Sequence, residues 1–176
     1  IKQLDAFRFF AFSAVSIAHF LKIDNPVFAR LPFGYGVNLF FVLSGFLITR
    51  LLLQYKDTEG LTIREAIKRF YIRRTLRIFP IYYGTVMFLY LIRFQNYEEA
   101  TPWLLAYAAN IHISLGLPSL GSYNHLWSLA VEEQFYLIWP FLILLVPNRH
   151  LCKAIYSVIF LSLIYKAGLY IYYNGW

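Results

Sequence analysis

Val37-Asn38-Leu39-Phe40-Phe41-Val42-Leu43-Ser44-Gly45-Phe46-Leu47-Ile48-Thr49-Arg50-Leu51-Leu52-Leu53-Gln54-Tyr55 is a run whose only charge is Arg50. A helix that crosses a bilayer needs about 20 mostly apolar residues, and this run supplies them. Working outward, comparable stretches occur at residues 4–21, 79–93, 126–146 and 154–173, with a shorter one at 103–117. Tyr and Trp crowd their ends (Tyr82, Tyr83, Trp103, Trp127, Trp139, Tyr172, Tyr173), as at a membrane interface. Across all 176 residues, 60% are hydrophobic and 14% charged, against about 45–50% and about 25% in soluble domains. Intrinsic disorder is excluded by the apolar content. Cys152 is the sole cysteine, so neither a disulfide framework nor a cysteine-based zinc site is expected. The pattern predicts an all-α polytopic membrane protein. It has about five spanning helices, a short re-entrant or interfacial segment at 103–117, and a basic amphipathic cytoplasmic helix.

The net charge is +7. In so apolar a chain it points to anionic lipid or a phosphorylated ligand rather than nucleic acid. Residues 56–78 hold Lys56, Arg64, Lys68, Arg69, Arg73, Arg74 and Arg77, and the positive-inside rule places them in the cytoplasm. Two spans precede them, so the N-terminus is expected there too. Thr62-Ile63-Arg64-Glu65 reads as a capping box that opens a helix. Ile63, Ala66, Ile67 and Phe70 then form an apolar stripe suited to a membrane surface. Pro80 is expected to break or restart this helix. Arg69 and Arg73, Arg73 and Arg77, and Arg74 and Arg77 pair at helical spacing. The plain interpretation is a lipid anchor; the sharper one is a clamp for phosphate, since clustered guanidinium groups present several planar donors to one anion.

Ionisable side chains inside apolar segments are costly and mark function by default. Arg8 and His19 share one helix face about 16 Å apart along the axis, and Asp5 lies one turn before Arg8. His19, with an ordinary pKa of about 6.5, suits proton transfer. Gly36, Ser44 and Gly45 read as small residues for close helix packing. Glu132 and Glu133 enter the apolar run together and each needs a partner; adjacent helical residues point about 100° apart.

Four blocks, taken in order, resemble the membrane-bound acyltransferase-3 family, whose members acylate surface polysaccharides, lipopolysaccharide and peptidoglycan. Leu4-Asp5-Ala6-Phe7-Arg8 through His19 resembles the opening motif, an arginine and a histidine separated by ten residues. Residues 36–49 resemble the second-helix signature. Arg73-Arg74-Thr75-Leu76-Arg77 through Tyr83 resembles the basic-loop motif, and His125 through Pro140 the glutamate-containing block. Asn38 stands where aspartate is common and Phe9 where glycine is common. The resemblance implies an O-acyltransferase of a bacterial inner membrane. Acyl-CoA, most often acetyl-CoA, binds from the cytoplasm, with its phosphates on Arg74 and Arg77 aided by Arg73 and Arg69. His19 acts as general base or transient acyl carrier. Glu133 orients it, with Glu132 as the alternate, and Arg8 holds the donor or stabilises developing charge. No metal is implied. The acceptor is a glycan or lipid-linked hydroxyl compound. Family members have roughly ten spans, so residues 1–176 are expected to be a single transmembrane acyltransferase domain, incomplete at the C-terminus. A homodimer or the missing half is expected to supply the rest.

Two rivals stand beside this expectation. Intramembrane Arg, His and Glu also build proton pathways, so a transporter piece is one; an inactive truncated subunit is the other. Topology bears on the choice. If 103–117 crosses fully, Glu133 lies far from His19. If it re-enters, the next helix starts outside, Glu133 reaches a depth comparable to that of His19, and Arg149 and Lys153 fall inside. Asn110, His112 and Ser114 favour re-entry, because they interrupt the apolar surface.

Overall fold

The computed structural model describes residues 2–20 and 35–174, except for the side chains at 2, 3, 5, 8, 18–20, 173 and 174. The described elements are all helical: α1 (Lys2–Phe20), α2 (Tyr35–Lys56), α3 (Ile63–Leu91), α4 (Tyr97–Leu105), α5 (Ala109–Ser114), a 3₁₀ turn (Gly121–Leu126), α6 (Trp127–Leu145) and α7 (Asn148–Asn174). Among the described residues, Tyr35–Lys56, Gly121–Leu145 and Asn148–Tyr172 are long and apolar enough to cross a membrane. The expected five would also count α1 and α3, which fall outside these three. The first half of α3 is too rich in lysine and arginine to read as lipid-facing.

α1 lies against α2, and Gly36 permits the approach. A Cβ at Gly36 would stand 2.8 Å from Val15 Cγ2, too close without a shift, and 3.0 Å from the Ala11 carbonyl oxygen, a contact tighter than side chains normally make.

α2 and α6 run parallel. Going down both helices, Ser44 meets Glu132, Thr49 meets Trp139, and Lys56 meets Ile143 and Val146. Trp139 Nε1 donates to Thr49 Oγ1 at 2.7 Å. Lys56 Nζ donates to the Ile143 carbonyl at 2.9 Å and also to that of Val146. It thereby caps the C-terminal carbonyls of α6, where the helix dipole favours a cation. α3 runs antiparallel to both: Tyr71 meets Leu137, Arg74 meets Glu133, and Tyr82 joins the cluster that contains Ala130.

Two expectations about this region need revising, and a third holds. The helix expected to break at Pro80 is continuous from Ile63 to Leu91. Pro80 itself is exposed, and Ile78, Phe79, Tyr82 and Val86 pack on one core on either side of it, which keeps the axis intact. The stripe assigned to the membrane surface is largely internal, with Ala66 1% and Phe70 3% exposed against α2 and α6. Burial among other helices satisfies an apolar stripe as well as lipid does. The segment 103–117 is no single helix: α4 ends, Tyr107 turns the chain at φ 50°, and α5 follows. The Asn110 and Gln134 amides pair reciprocally at 2.9 and 3.0 Å, and Gln134 donates to the Tyr107 carbonyl at 2.9 Å. This ties the turn to α6 and satisfies the polar group that argued against a lipid-facing span. The re-entrant or interfacial alternative fits, because parallel α2 and α6 are joined by one return pass, α3.

Two apolar cores result. One contains Tyr82, Val86, Leu104, Tyr107, Leu120 and Ala130, at the end where α4 and α5 lie. The other contains Ile48, Leu52, Ala66, Phe70, Ile143 and Leu144, at the end where α2 meets α3. Pro140 removes the N–H that would serve the Tyr136 carbonyl. The Tyr71 hydroxyl of α3 stands 3.4 Å from that oxygen and donates to the Leu137 carbonyl at 2.7 Å. α7 adds Leu151 to the second core, while the most apolar 18-residue stretch of its candidate span has no buried residue.

Candidate functional site

Between the two cores lies a layer of charged and hydroxylic side chains. It falls where α3 and α6 pass with Arg74 opposite Glu133 and Tyr136. Arg74 is held on two sides. Its guanidinium carbon lies 3.1 Å above the centroid of the Tyr136 ring, an attractive placement because the ring face is negative. Its Nη2 lies 3.5 Å from Glu133 Oε1. Glu133 is 8% exposed, and a carboxylate so buried needs a cation beside it. Among the described residues Glu133 Oε1 and Arg74 Nε have no hydrogen-bond partner, so both keep capacity for one.

Glu132 faces another way, as the 100° offset requires. Its Oε1 accepts from Ser44 Oγ of α2 at 2.5 Å and from the Tyr136 hydroxyl one turn along α6. Neither carboxylate avoids the polar layer: one serves α3, the other α2. Beside Glu132, between α2 and α6, is a cavity of about 330 Å³ lined by Phe41, Ser44, Gly45, Val131, Phe135 and Trp139.

The other three expected phosphate ligands are exposed. Arg77 lies one turn beyond Arg74. Arg73 Nη1 donates to the Tyr55 hydroxyl at 3.1 Å, near the end of α2. Arg69 lies within electrostatic reach of Glu65. The capping box forms as expected: Glu65 N donates to Thr62 Oγ1 at 3.3 Å and Thr62 N donates to Glu65 Oε2 at 3.0 Å. Hydrogen bonds from the Thr62 backbone and hydroxyl hold the Glu65 carboxyl below its usual range.

Arg8 and His19 fall on α1, but their side chains lie outside the described residues. The structure therefore brings Arg74 and Glu133 together, leaves Arg69, Arg73 and Arg77 at the surface, and does not describe the histidine end of the expected site. Sequence reasoning missed Tyr136 and the polar role of Ser44. The signal for Tyr136 was present: it stands four residues after Glu132 and three after Glu133, on the same side of α6. His112 had no assigned chemistry. It is 5% exposed, packs edge-on to Trp103, and its Nε2 bonds the Pro118 carbonyl at 2.8 Å, a structural role.

A family model described as an acyltransferase domain matches residues 1–176. The chain belongs to the acyltransferase-3 family. Over 193 aligned residues it is 33% identical to the peptidoglycan O-acetyltransferase OatA of Listeria monocytogenes, covering 97% of this chain and 29% of the relative. It is 32% identical to the putative peptidoglycan O-acetyltransferase YrhL of Bacillus subtilis, covering 96% of this chain and 29% of that protein. The putative O-acetyltransferase SACOL0978 of Staphylococcus aureus is 34% identical over 80% of this chain and 24% of its own length. The chain thus spans less than a third of these acyltransferase-3 relatives. No solved structure shows significant similarity to it.

Proposed function

We propose that the chain forms part of a membrane O-acetyltransferase that moves an acetyl group from cytoplasmic acetyl-CoA to a hydroxyl of a cell-wall glycan. The observation that carries this reading is Arg74, a guanidinium drawn off the basic face of α3 and seated inside the helix bundle against Glu133 and Tyr136. An anchor for lipid headgroups has no need of an internal arginine. A binding site that leads from phosphates at the surface to a thioester within the bundle does.

Phosphates of the donor meet exposed Arg77, Arg73 and Arg69 and the accessible part of Arg74, which present charge-assisted donors. The acceptor hydroxyl oxygen attacks the thioester carbonyl while His19 takes its proton. The C–S bond breaks, and the proton passes to the departing sulfur. In the variant with a covalent step, His19 carries the acetyl group between the two. Arg8 stabilises the developing negative charge. Glu133 balances Arg74, and its open Oε1 lone pair is available to orient the imidazole. The names of the Listeria and Bacillus relatives favour peptidoglycan as acceptor.

The parallel course of α2 and α6 puts the basic start of α3 on the same side as Arg149 and Lys153. By the charge rule that side is the cytoplasm, and with α1 and α3 counted as spans the N-terminus lies there as well. In this reading the protein sits in a bacterial cytoplasmic membrane, and a homodimer or the missing C-terminal half completes the acceptor site.

The test is acetyl-CoA-dependent labelling of glycan in membranes carrying the natural protein. His19→Ala is expected to abolish transfer while the protein still accumulates in the membrane; a wild-type rate would defeat the mechanism. Arg77→Ala is expected to raise the donor KM about tenfold with little change in kcat, as loss of one charge-assisted contact does. Unchanged donor dependence would return Arg77 to the role of lipid anchor.

A further inference from the structure

We propose that Tyr136 is a positioning residue for Arg74, and that Ser44 and Glu132 hold Tyr136 in that role. The proposal rests on the reading of Arg74 as a donor ligand and adds what orients it. A guanidinium is a rigid plane, so one contact on its face and one on its edge fix it in space. The face lies 3.1 Å over Tyr136 and the edge 3.5 Å from Glu133. The side chain keeps 20% of its surface exposed, and that remainder has a defined direction. Arg73 and Arg77, on the same helix, stand exposed at the surface.

Tyr136 is itself fixed. Its ring is 2% exposed, and its hydroxyl donates to Glu132, which also accepts from Ser44 at 2.5 Å. The relay Ser44–Glu132–Tyr136–Arg74 therefore crosses three helices, α2, α6 and α3. The carboxylate does more than anchor the phenol. A phenol that donates to a carboxylate gains phenolate character, its ring face becomes more negative, and a cation above it is held more strongly. The negative charge of Glu132 thus acts on Arg74 through the ring, while Glu133 acts on it directly. The pair of adjacent glutamates is explained by this division: neither carboxylate could reach both the face and the edge of one guanidinium.

The experiment measures acetyl-CoA saturation in membranes bearing the natural protein and its variants. Arg74→Ala is expected to raise the donor KM about tenfold. Tyr136→Phe, which keeps the ring, and Glu132→Gln, which keeps its shape, are each expected to raise the KM about three- to fivefold with kcat within about twofold. Tyr136→Leu is expected to match Arg74→Ala, and either Tyr136 variant combined with Arg74→Ala is expected to be no worse than Arg74→Ala alone. A residue that merely fills the core would lower protein level or kcat and leave the donor KM in place. If Tyr136→Leu does not accumulate, Tyr136→Phe and Glu132→Gln in the two Arg74 backgrounds decide. An unchanged donor KM for Arg74→Ala would overturn the donor reading of that arginine. An effective Arg74→Ala with inert or additive Tyr136→Phe and Glu132→Gln would overturn the positioning role alone.

Discussion

Glu65, at the start of α3, is an exposed carboxyl. Its capping hydrogen bonds with Thr62 lower its pKa below the ordinary 4.5. A carboxyl whose folded pKa is depressed contributes stability that is present above the unfolded value and is lost as pH falls through the folded one. The start of α3 is therefore expected to fray in acid, below about pH 4.5. Protection of the amides at residues 62–66, measured against their intrinsic exchange rate at each pH, should fall between pH 7 and pH 3 in the natural protein. In Glu65→Gln that protection should already be lower at pH 7 and change less; an identical pH response in both would sink the idea. The capping box was legible in four consecutive letters because it is a local device, complete within one turn. Glu133 and Arg74 each stand out in the sequence, from their charge in or beside an apolar run. Their mutual contact does not, since it depends on how α3 and α6 cross, and no local pattern encodes a crossing. Ser44 read as a packing residue for the same reason: its partner is on another helix.

At the scale of the elements, the junction of α1 and α2 depends on Gly36. Gly36→Val is expected to cost about 1–3 kcal/mol, because the new side chain must displace Val15 or the backbone at Ala11. Gly45→Ala is the control, since the nearest atom to its added Cβ is Phe135 Cζ at 4.0 Å, ordinary contact. Thermal unfolding in detergent should separate the two; equal midpoints would remove Gly36 as the point of closest approach. Both glycines read alike in the sequence, as small residues in a span, and only the packing tells them apart. Pro80 is the converse case. The sequence argues for a break there, and tertiary contacts on both sides override it. Lys56 was counted as loop charge, yet it closes the end of α6, a role that follows from parallel pairing and not from composition.

For the whole molecule, the parallel pairing of α2 and α6 fixes which ends share a side. Single cysteines in place of Glu59 and Arg149, in a background lacking the exposed Cys152, are expected to react with an impermeant thiol reagent from the same face of the membrane. A cysteine at Ser119 should react from the other. Labelling of Arg149→Cys and Ser119→Cys from one face would refute the topology. The helical class, the family and the interruption of 103–117 are legible in the sequence, because apolar length, motif order and interrupting polar residues are properties of the sequence itself. The number of crossings is less legible, because α3 mixes basic and apolar turns: it buries Ala66, Phe70, Tyr82 and Val86 among its neighbours and leaves Leu76, Ile81, Met87 and Leu91 exposed. α7 has a different consequence. The most apolar 18-residue stretch of its candidate span has no buried residue, so an apolar flank about 27 Å long must be solvated by something other than water. Once extracted, this chain should sediment with a belt of bound amphiphile, as a particle far heavier than 20.8 kDa, and should precipitate when that belt is stripped.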